Sequence, residues 1–392
     1  MALPAPSPIH LLRSHSTAVS TLFISTDNER IYSGDSAGQA IVTSTRSLRP
    51  LASWKAHTDS LLGIEEWGSQ IITHGRDNKL HVWVRPEESA SIRQGPATLS
   101  DLSTPTICYS MDVNALNYCR FSLLEGLLAV PNLVESALAD IWSLPSRQRL
   151  HAAIGDPLDT STTAFSDGRS GSKSGIIMSM HLFYSTSSAP SSSTSARELR
   201  LLCAYEDGSV VLRKRTAPEN KPTVEGRGWE VVWKSRLHVE SGSPHFALTV
   251  SADHLVGRYD LLKTQEEASE STSAGTAFKT KHPGNGAVAI RSDGRVCAIG
   301  GWDGKVRLYS TKTLKLLGTL VHHKQGCQAV TFASHTDCVP LCGDLKEDDF
   351  SDDDDEITVE EKHARGRWLI AGSTDAKVSI WALINFEKAS AV

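Results

Sequence analysis

Histidine and aspartate recur in this chain at spacings that could serve acid–base chemistry or metal binding. An aspartate lies six residues before the end of each of five similar phrases: Asp77 in HGRDNKLHVW, Asp207 in AYEDGSVVLR, Asp253 in VSADHLVGRY, Asp303 in GGWDGKVRLY and Asp375 in GSTDAKVSIW. The phrases end on Trp83, Arg213, Tyr259, Tyr309 and Trp381. Carboxylates and imidazoles converging on one point could hold a metal or move a proton. Regular recurrence points elsewhere, because groups repeated once per unit belong to the architecture of the unit.

The elements that position these residues follow from the same ruler. Two further units emerge, one with Ala37 at the aspartate position and Thr43 at its end, the other with Ser136 and Trp142. Seven units therefore end at 43, 83, 142, 213, 259, 309 and 381. The short gaps between ends match a four-stranded propeller blade of ~40–45 residues, and the long ones require insertions. A histidine precedes several ends by a similar distance (His15, His57, His282), with Asn114 in that place in unit three. Alternating runs such as AVSTLFIS, NALNYCRFS, GAVAIRS and QAVTFAS follow the marker. Each leads through a turn to a second apolar run, which reads as consecutive strands. The expectation is an all-β chain, a seven-bladed propeller over residues 9–385.

Ring closure and weak points are also legible. Ile9–Leu12 is a lone apolar strand ahead of the first full unit, and it is expected to supply the outer strand of the blade ending near Trp381, hiding an open sheet edge. Only 21 residues separate His238 from Tyr259. Blade five is thus expected to lack its innermost strand or to borrow an irregular segment; a gap in the gene model would give the same spacing. Residues 1–8 and 386–392 read as tails. Insertions at about 156–174, 187–197 and 338–365 have compositions expected to stay disordered.

From residue 9 to 385 the chain resembles the WD40 repeat family. In that family a histidine before the first strand, a Ser or Thr on the second, an aspartate in the next turn and a tryptophan on the third form one hydrogen-bonded set. The resemblance implies such a set for His57, Thr73, Asp77 and Trp83. It implies Ser373, Asp375 and Trp381 in unit seven, with His322 as marker, and His282, Asp303 and Tyr309 in unit six. A buried carboxylate and a buried imidazole each cost several kcal/mol if unpaired, roughly 2–7 for a polar group and more for a charge, so tying them together satisfies both. No unit ends on a Trp-Asp pair, since Val84, Ser143 and Ala382 follow Trp83, Trp142 and Trp381, and units one and four end on Thr43 and Arg213 rather than an indole.

The segments AHTDSLLGI, ITHGRDNKLHVW, SMDVNALNYCRFS and AIGGWDGKVRLYS are similar to the ASTRA-associated protein 1 family of fungi, related to a beta-subunit-like propeller of animals. This resemblance implies a subunit of the nuclear ASTRA assembly, linked to chromatin remodelling and to maturation of the large kinases related to phosphatidylinositol 3-kinase. The implied partners are other subunits of the assembly and kinase-maturation cochaperones, and the implied location is the nucleus.

Composition sets the remaining bounds. The net charge is −5, yet residues 344–361 hold eleven acids and one base, so the rest of the chain is mildly basic. That surplus is too small to argue for a nucleic-acid groove. Seven irregularly spaced cysteines, none in a CxxC pair, read as reduced thiols of an intracellular protein. No signal peptide or membrane span is apparent. The chain holds no P-loop, GxSxG or HExxH, and neither His322–His323 with Cys327 nor Cys338 with Cys342 completes a four-ligand zinc set. No catalysis, cofactor or metal is expected. Function should then lie in loops displayed by the blades. Trp67, Arg76 and Trp302 are the candidate partner contacts, and Ser351, ahead of four aspartates, is a candidate phosphosite for an acid-directed kinase. Arg213–Arg215 is short for an import signal. A G-protein beta-like subunit would want an N-terminal helix, and only eight residues precede Ile9. A ubiquitin-ligase adaptor would be told apart by the partners it captures.

Overall fold

The computed structural model describes residues 6–86, 102–155, 175–186, 197–216, 221–236, 246–262, 275–334 and 359–384. Their strands form seven antiparallel sheets, the blades of a propeller. The chain opens with β1 (His10–Leu12). Blade one is β2 (Val19–Ile24), β3 (Arg30–Asp35), β4 (Gln39–Ser44) and β5 (Pro50–Lys55), and blade two is β6 (Leu61–Trp67), β7 (Gln70–Gly75), β8 (Lys79–Val84) and β9 (Thr106–Asp112). Blade three is β10 (Ser122–Leu124), β11 (Leu127–Pro131), β12 (Ala139–Ser143) and β13 (Gln148–Ile154). Blade four is β14 (Ile177–Thr186), β15 (Arg197–Tyr205), β16 (Ser209–Arg215) and β17 (Trp229–Arg236). Blade five holds β18 (Phe246–Val250), β19 (Leu255–Asp260) and β20 (Gly275–Lys279). Blade six is β21 (Asn285–Ile290), β22 (Val296–Gly301), β23 (Lys305–Ser310) and β24 (Leu316–Val321). Blade seven combines β25 (Cys327–Phe332), β26 (Trp368–Ser373) and β27 (Val378–Ala382) with β1 on its outer side, and the helix α1 (Val359–Arg365) lies between β25 and β26 in the chain.

Every unit end read from the sequence falls on the third strand of its blade: Thr43, Trp83, Trp142, Arg213, Tyr259, Tyr309 and Trp381 lie on β4, β8, β12, β16, β19, β23 and β27. The turn before that strand explains the repeated phrase. In five blades the residue after the aspartate position is left-handed, with φ of 86° at Gly38, 64° at Asn78, 81° at Gly208, 77° at Gly304 and 62° at Ala376. Three-residue hairpin loops end in that conformation, which favours Gly and Asn. At Gly38 space also forbids a side chain, since a Cβ would lie 2.1 Å from the His57 carbonyl oxygen.

The core lies between blades. Tyr32, Trp54, Leu61, Ile64, Ile71 and Trp83 fill the gap between blades one and two, and Val19, Ile24, Ile370 and Ile380 fill that between seven and one. Each such side chain contributes about 1.5–3 kcal/mol by leaving water. Ring closure follows expectation: His10, Leu11 and Leu12 pair in register with Ile380, Ser379 and Val378. A second tie crosses the same seam, where the Asn28 amide donates to the Ser334 carbonyl at 2.7 Å and accepts from its N–H at 2.8 Å.

Among the described residues blade five has three strands, in keeping with its short spacing; Tyr259 lies on the middle one, so these are its second, third and outer strands, and His238 lies outside the described residues. Two expectations change. The segment NALNYCRFS is mostly turn rather than strand. Asn114 and Asn117 accept from the backbone N–H of Leu116 and Cys119, both at 2.8 Å, and this local bonding competes with a strand ladder. The insertion expected to be disordered from 338 to 365 ends in a helix, α1, whose Arg365 donates to Thr45 of blade one at 3.3 Å. Residues 156–174, Ser351, Cys338 and Cys342 lie outside the described residues.

Candidate docking face built by the blade hydrogen-bond sets

Blade two carries the complete set. The loop after β5 places His57, β7 places Thr73, the β7–β8 turn places Asp77 and β8 places Trp83. His57 Nδ1 lies 2.8 Å from Asp77 Oδ1, and His57 Nε2 lies 2.8 Å from Thr73 Oγ1, which also accepts from Trp83 Nε1 at 2.9 Å. With Asp77 ionised, Nδ1 carries the proton and Nε2 accepts from the threonine hydroxyl. Burial pushes the Asp77 carboxyl up, but bonds from Thr58 N–H and the His57 ring outweigh it and hold the group below its ordinary value. Burial dominates at His57 and lowers its pKa despite Asp77, so the ring is neutral. The same bonds pin the loop after β5 to the β7–β8 turn, at one end of the blade.

Other blades reach this result with different residues. In blade one His15 bonds Ser33 at 2.8 Å and Asp35 at 3.0 Å; Asp35 stands two residues before Ala37, at the end of β3, and does the work expected of the missing turn aspartate. In blade seven the histidine is His323, not His322: its Nδ1 lies 3.1 Å from Asp375 and its Nε2 lies 2.8 Å from Ser379. Ser379, rather than Ser373, also accepts from Trp381 Nε1 at 2.9 Å. Ser373 instead donates to the Gln325 carbonyl. The register explains the exchange. Thr73 lies opposite His81 across β7–β8, and the matching rung across β26–β27 sets Ala371 opposite Ser379. The hydroxyl has crossed one rung and still fills the same place.

Blade six departs further. His282 is exposed and takes no part in the set. Buried Arg307, two residues before Tyr309, donates to both oxygens of Asp303 at 3.1 and 2.6 Å. In blade three Asn114 and Ser136 bond through side chains at 3.2 Å. In blade four Arg213 occupies the indole position, buried, with the Tyr205 hydroxyl at 3.2 Å, so the first cation of Arg213–Arg215 points inward.

His57, Asp77 and His81 bring potential ligand atoms within 4.8 Å of one another. A cation there would have to displace the bonds from His57 to Asp77 and Thr73 and the 2.8 Å bond from His81 to Ser110. The donor set does not fit a metal centre.

What the sets leave free is the rim of turns. Arg76, beside Asp77, is exposed, and its guanidinium lies 4.4 Å from the centre of the Tyr118 ring. Trp302, in the β22–β23 turn, is 55% exposed and rests against Gly284. Trp67 differs: it ends β6, is half-buried and packs against Gly126 and the core between blades two and three. Sequence reasoning counted tryptophans and so missed Leu116 and Tyr118, exposed on the turn that Arg76 touches, and Leu133 and Val134, exposed on the turn bonded to it through Asn114. Their signal was apolar residues inside the asparagine-flanked turns NALNY and NLVES.

Seven blades, closure by the N-terminal strand and recurrent His–Ser/Thr–Asp–Trp sets define a WD-repeat β-propeller. The model of the WD domain, G-beta repeat, matches residues 279–310. The crystal structure of the computationally designed Ika8 protein shares the fold, with a TM-score of 0.55 over 96% of this chain and 100% of that one at 11% identity. Curated relatives run the length of the chain: ASTRA-associated protein 1 of Aspergillus flavus is 32% identical over 96% of this chain and 97% of its own length. That of Verticillium alfalfae is 31% identical (96% and 92%), and that of Schizosaccharomyces pombe 28% (86% and 96%). The chain belongs to the ASTRA-associated protein 1 family.

Proposed function

We propose that this protein is a non-enzymatic scaffold subunit of an ASTRA-type assembly, acting in the nucleus in chromatin remodelling and in the maturation of kinases related to phosphatidylinositol 3-kinase. The observation that carries the reading is the alignment with ASTRA-associated protein 1 along 96% of the chain. The site chemistry supports a role without catalysis, because His15, His57 and His323 are each bonded to an aspartate within their blades and Asp303 is held by Arg307. The mechanism is rigid display: each set fixes a turn, and the turns present side chains to partner proteins. The partners are other subunits of the assembly and kinase-maturation cochaperones. Ser351, in its acidic context, would add charge for a Lys/Arg-rich adaptor when phosphorylated.

Affinity purification of the tagged protein from its native cells, read by mass spectrometry, tests this. Recovery of remodeller subunits or kinase-maturation cochaperones is expected. Recovery of neither overturns the reading, and ubiquitin-ligase scaffolds in their place would mark the protein as a substrate adaptor. A fluorescent fusion excluded from the nucleus would refute the location.

A further inference from the structure

The rim between blades two and three is unusual in what it exposes. Four large apolar side chains stand on two adjacent turns: Leu116 at 48%, Tyr118 at 46%, Leu133 at 53% and Val134 at 83% exposure. Hairpin and connecting turns on a soluble surface ordinarily carry polar residues. Exposed apolar residues gathered in one place, with Tyr and Arg among them, are the composition of a protein contact.

The two turns are fixed to each other. Asn114 Nδ2 donates to the Asn132 carbonyl at 2.6 Å, and Asn114 Oδ1 accepts from the Ser136 hydroxyl at 3.2 Å and from Leu116 N–H at 2.8 Å. Asn117 donates to the Ser136 carbonyl at 3.1 Å and to that of Ile177 at 2.8 Å, which anchors the turn to blade four. Asn132 Oδ1 accepts from the N–H groups of Val134 and Glu135 at 3.1 and 2.9 Å. The apolar side chains are therefore held outward by buried polar groups, and little order remains to be imposed when a partner docks.

Arg76 supplies the charge. Its guanidinium lies over the exposed Tyr118 ring, a cation–π contact, and has no carboxylate within ion-pair distance among the described residues. The planar cation thus keeps its fork of N–H donors for an incoming carboxylate, the geometry arginine matches best.

From this arrangement we infer that the rim formed by Arg76, Leu116, Tyr118, Leu133 and Val134 binds a short segment of a partner protein in which an aliphatic or aromatic side chain lies next to an aspartate or glutamate. The apolar residue covers Val134 and Leu133, and the acid pairs with Arg76. The inference rests on the scaffold reading and names one surface and one partner chemistry for it.

The test uses the purified full-length chain, panned against a phage-displayed library of short random peptides. Selected peptides are resynthesised and titrated by fluorescence anisotropy. Binders should join Leu, Ile, Met or Phe to Asp or Glu. Arg76→Glu and Val134→Asp should each weaken them at least about ten-fold, or ~1.4 kcal/mol. A peptide with its acid changed to Lys should bind Arg76→Glu better than the original does. Val321→Asp, at an exposed strand residue of blade six, should leave binding unchanged. All three substitutions are at exposed positions, so unfolding curves should match wild type. Absence of binders, binders lacking an acid, binders indifferent to Arg76→Glu and Val134→Asp, or displacement of the peptide by nucleic acid would each overturn the inference. Purification from native cells separates the two ideas. If both rim variants still recover ASTRA-type partners, the rim assignment falls and the scaffold reading stands. If the wild type recovers none, the scaffold reading falls whatever the peptides do.

Discussion

Removing the bridging hydroxyl from each complete or partial set gives a graded prediction. Thr73→Val in blade two keeps the side-chain shape and removes the oxygen that joins His57 Nε2 at 2.8 Å and Trp83 Nε1 at 2.9 Å. Thr73 is fully buried, and His57 and Trp83 are 2% and 8% exposed, so water does not replace the lost partner. Two ring nitrogens are orphaned, and at ~1–3 kcal/mol each the cost is ~2–6 kcal/mol. Against a net folding stability of roughly 5–15 kcal/mol that is a large fraction. Ser379→Ala should cost a similar amount, since it strands His323 and Trp381 together. Ser33→Ala should cost about half as much, ~1–3 kcal/mol for a single orphan, because blade one has Thr43 in place of the indole and only His15 Nε2 loses its partner. Thr73→Ser is the control: it keeps the oxygen and loses one methyl, ~1 kcal/mol. Urea unfolding followed by tryptophan fluorescence and circular dichroism measures each difference. The reasoning fails if Thr73→Val costs no more than Thr73→Ser, or if Ser33→Ala matches Ser379→Ala.

Three further outcomes follow from the same geometry. His74 is buried with neither ring nitrogen bonded, and burial pushes its pKa down to about 4. The unfolded chain, with histidine near 6.5, takes up the proton first, so stability is full above about pH 6.5 and is lost as pH falls toward 4. His74→Phe should reduce the slope of the urea midpoint across that window, with His151 and His181, also pushed down to about 4 by burial, retaining part of it; an unchanged slope would refute the assignment. Glu66 accepts from Tyr32, from Arg30 at 3.2 and 3.3 Å and from Arg85, so Glu66→Gln removes the carboxylate that two arginines share between blades one and two, while Arg30 keeps its ion pairs to Asp27 and Glu29. A loss of ~2–4 kcal/mol is expected in urea, and a loss under ~0.5 kcal/mol would count against it. Deleting residues 1–12 exposes β27 as an edge, which should lower thermal stability and produce oligomers on size-exclusion chromatography; a stable monomer would show that closure does not depend on β1.

The sequence by itself determined the seven units, the third-strand position of every unit end, and the closing strand. These rest on local physics: two-residue alternation sets the strands, and a left-handed residue after the turn fixes the hairpin, so a six-residue ruler is enough to find them. The short blade five was legible for the same reason, as too few residues between marker and end.

Tertiary structure decided which residues complete each set. His323 displaced His322, Ser379 displaced Ser373, Arg307 replaced His282 and Asp35 stood in for Ala37, and in each case the reason is spatial. Residues such as Ala371 and Ser379 are eight apart in the chain yet directly opposite across a ladder, so a hydroxyl on either reaches the same imidazole. A linear ruler cannot rank positions that the sheet makes equivalent. Exposure was decided at the same level. Trp67 turned inward against Gly126, whereas Tyr118, Leu133 and Val134 were turned outward by asparagine and serine bonds between two turns that only the packing of blades two, three and four brings together.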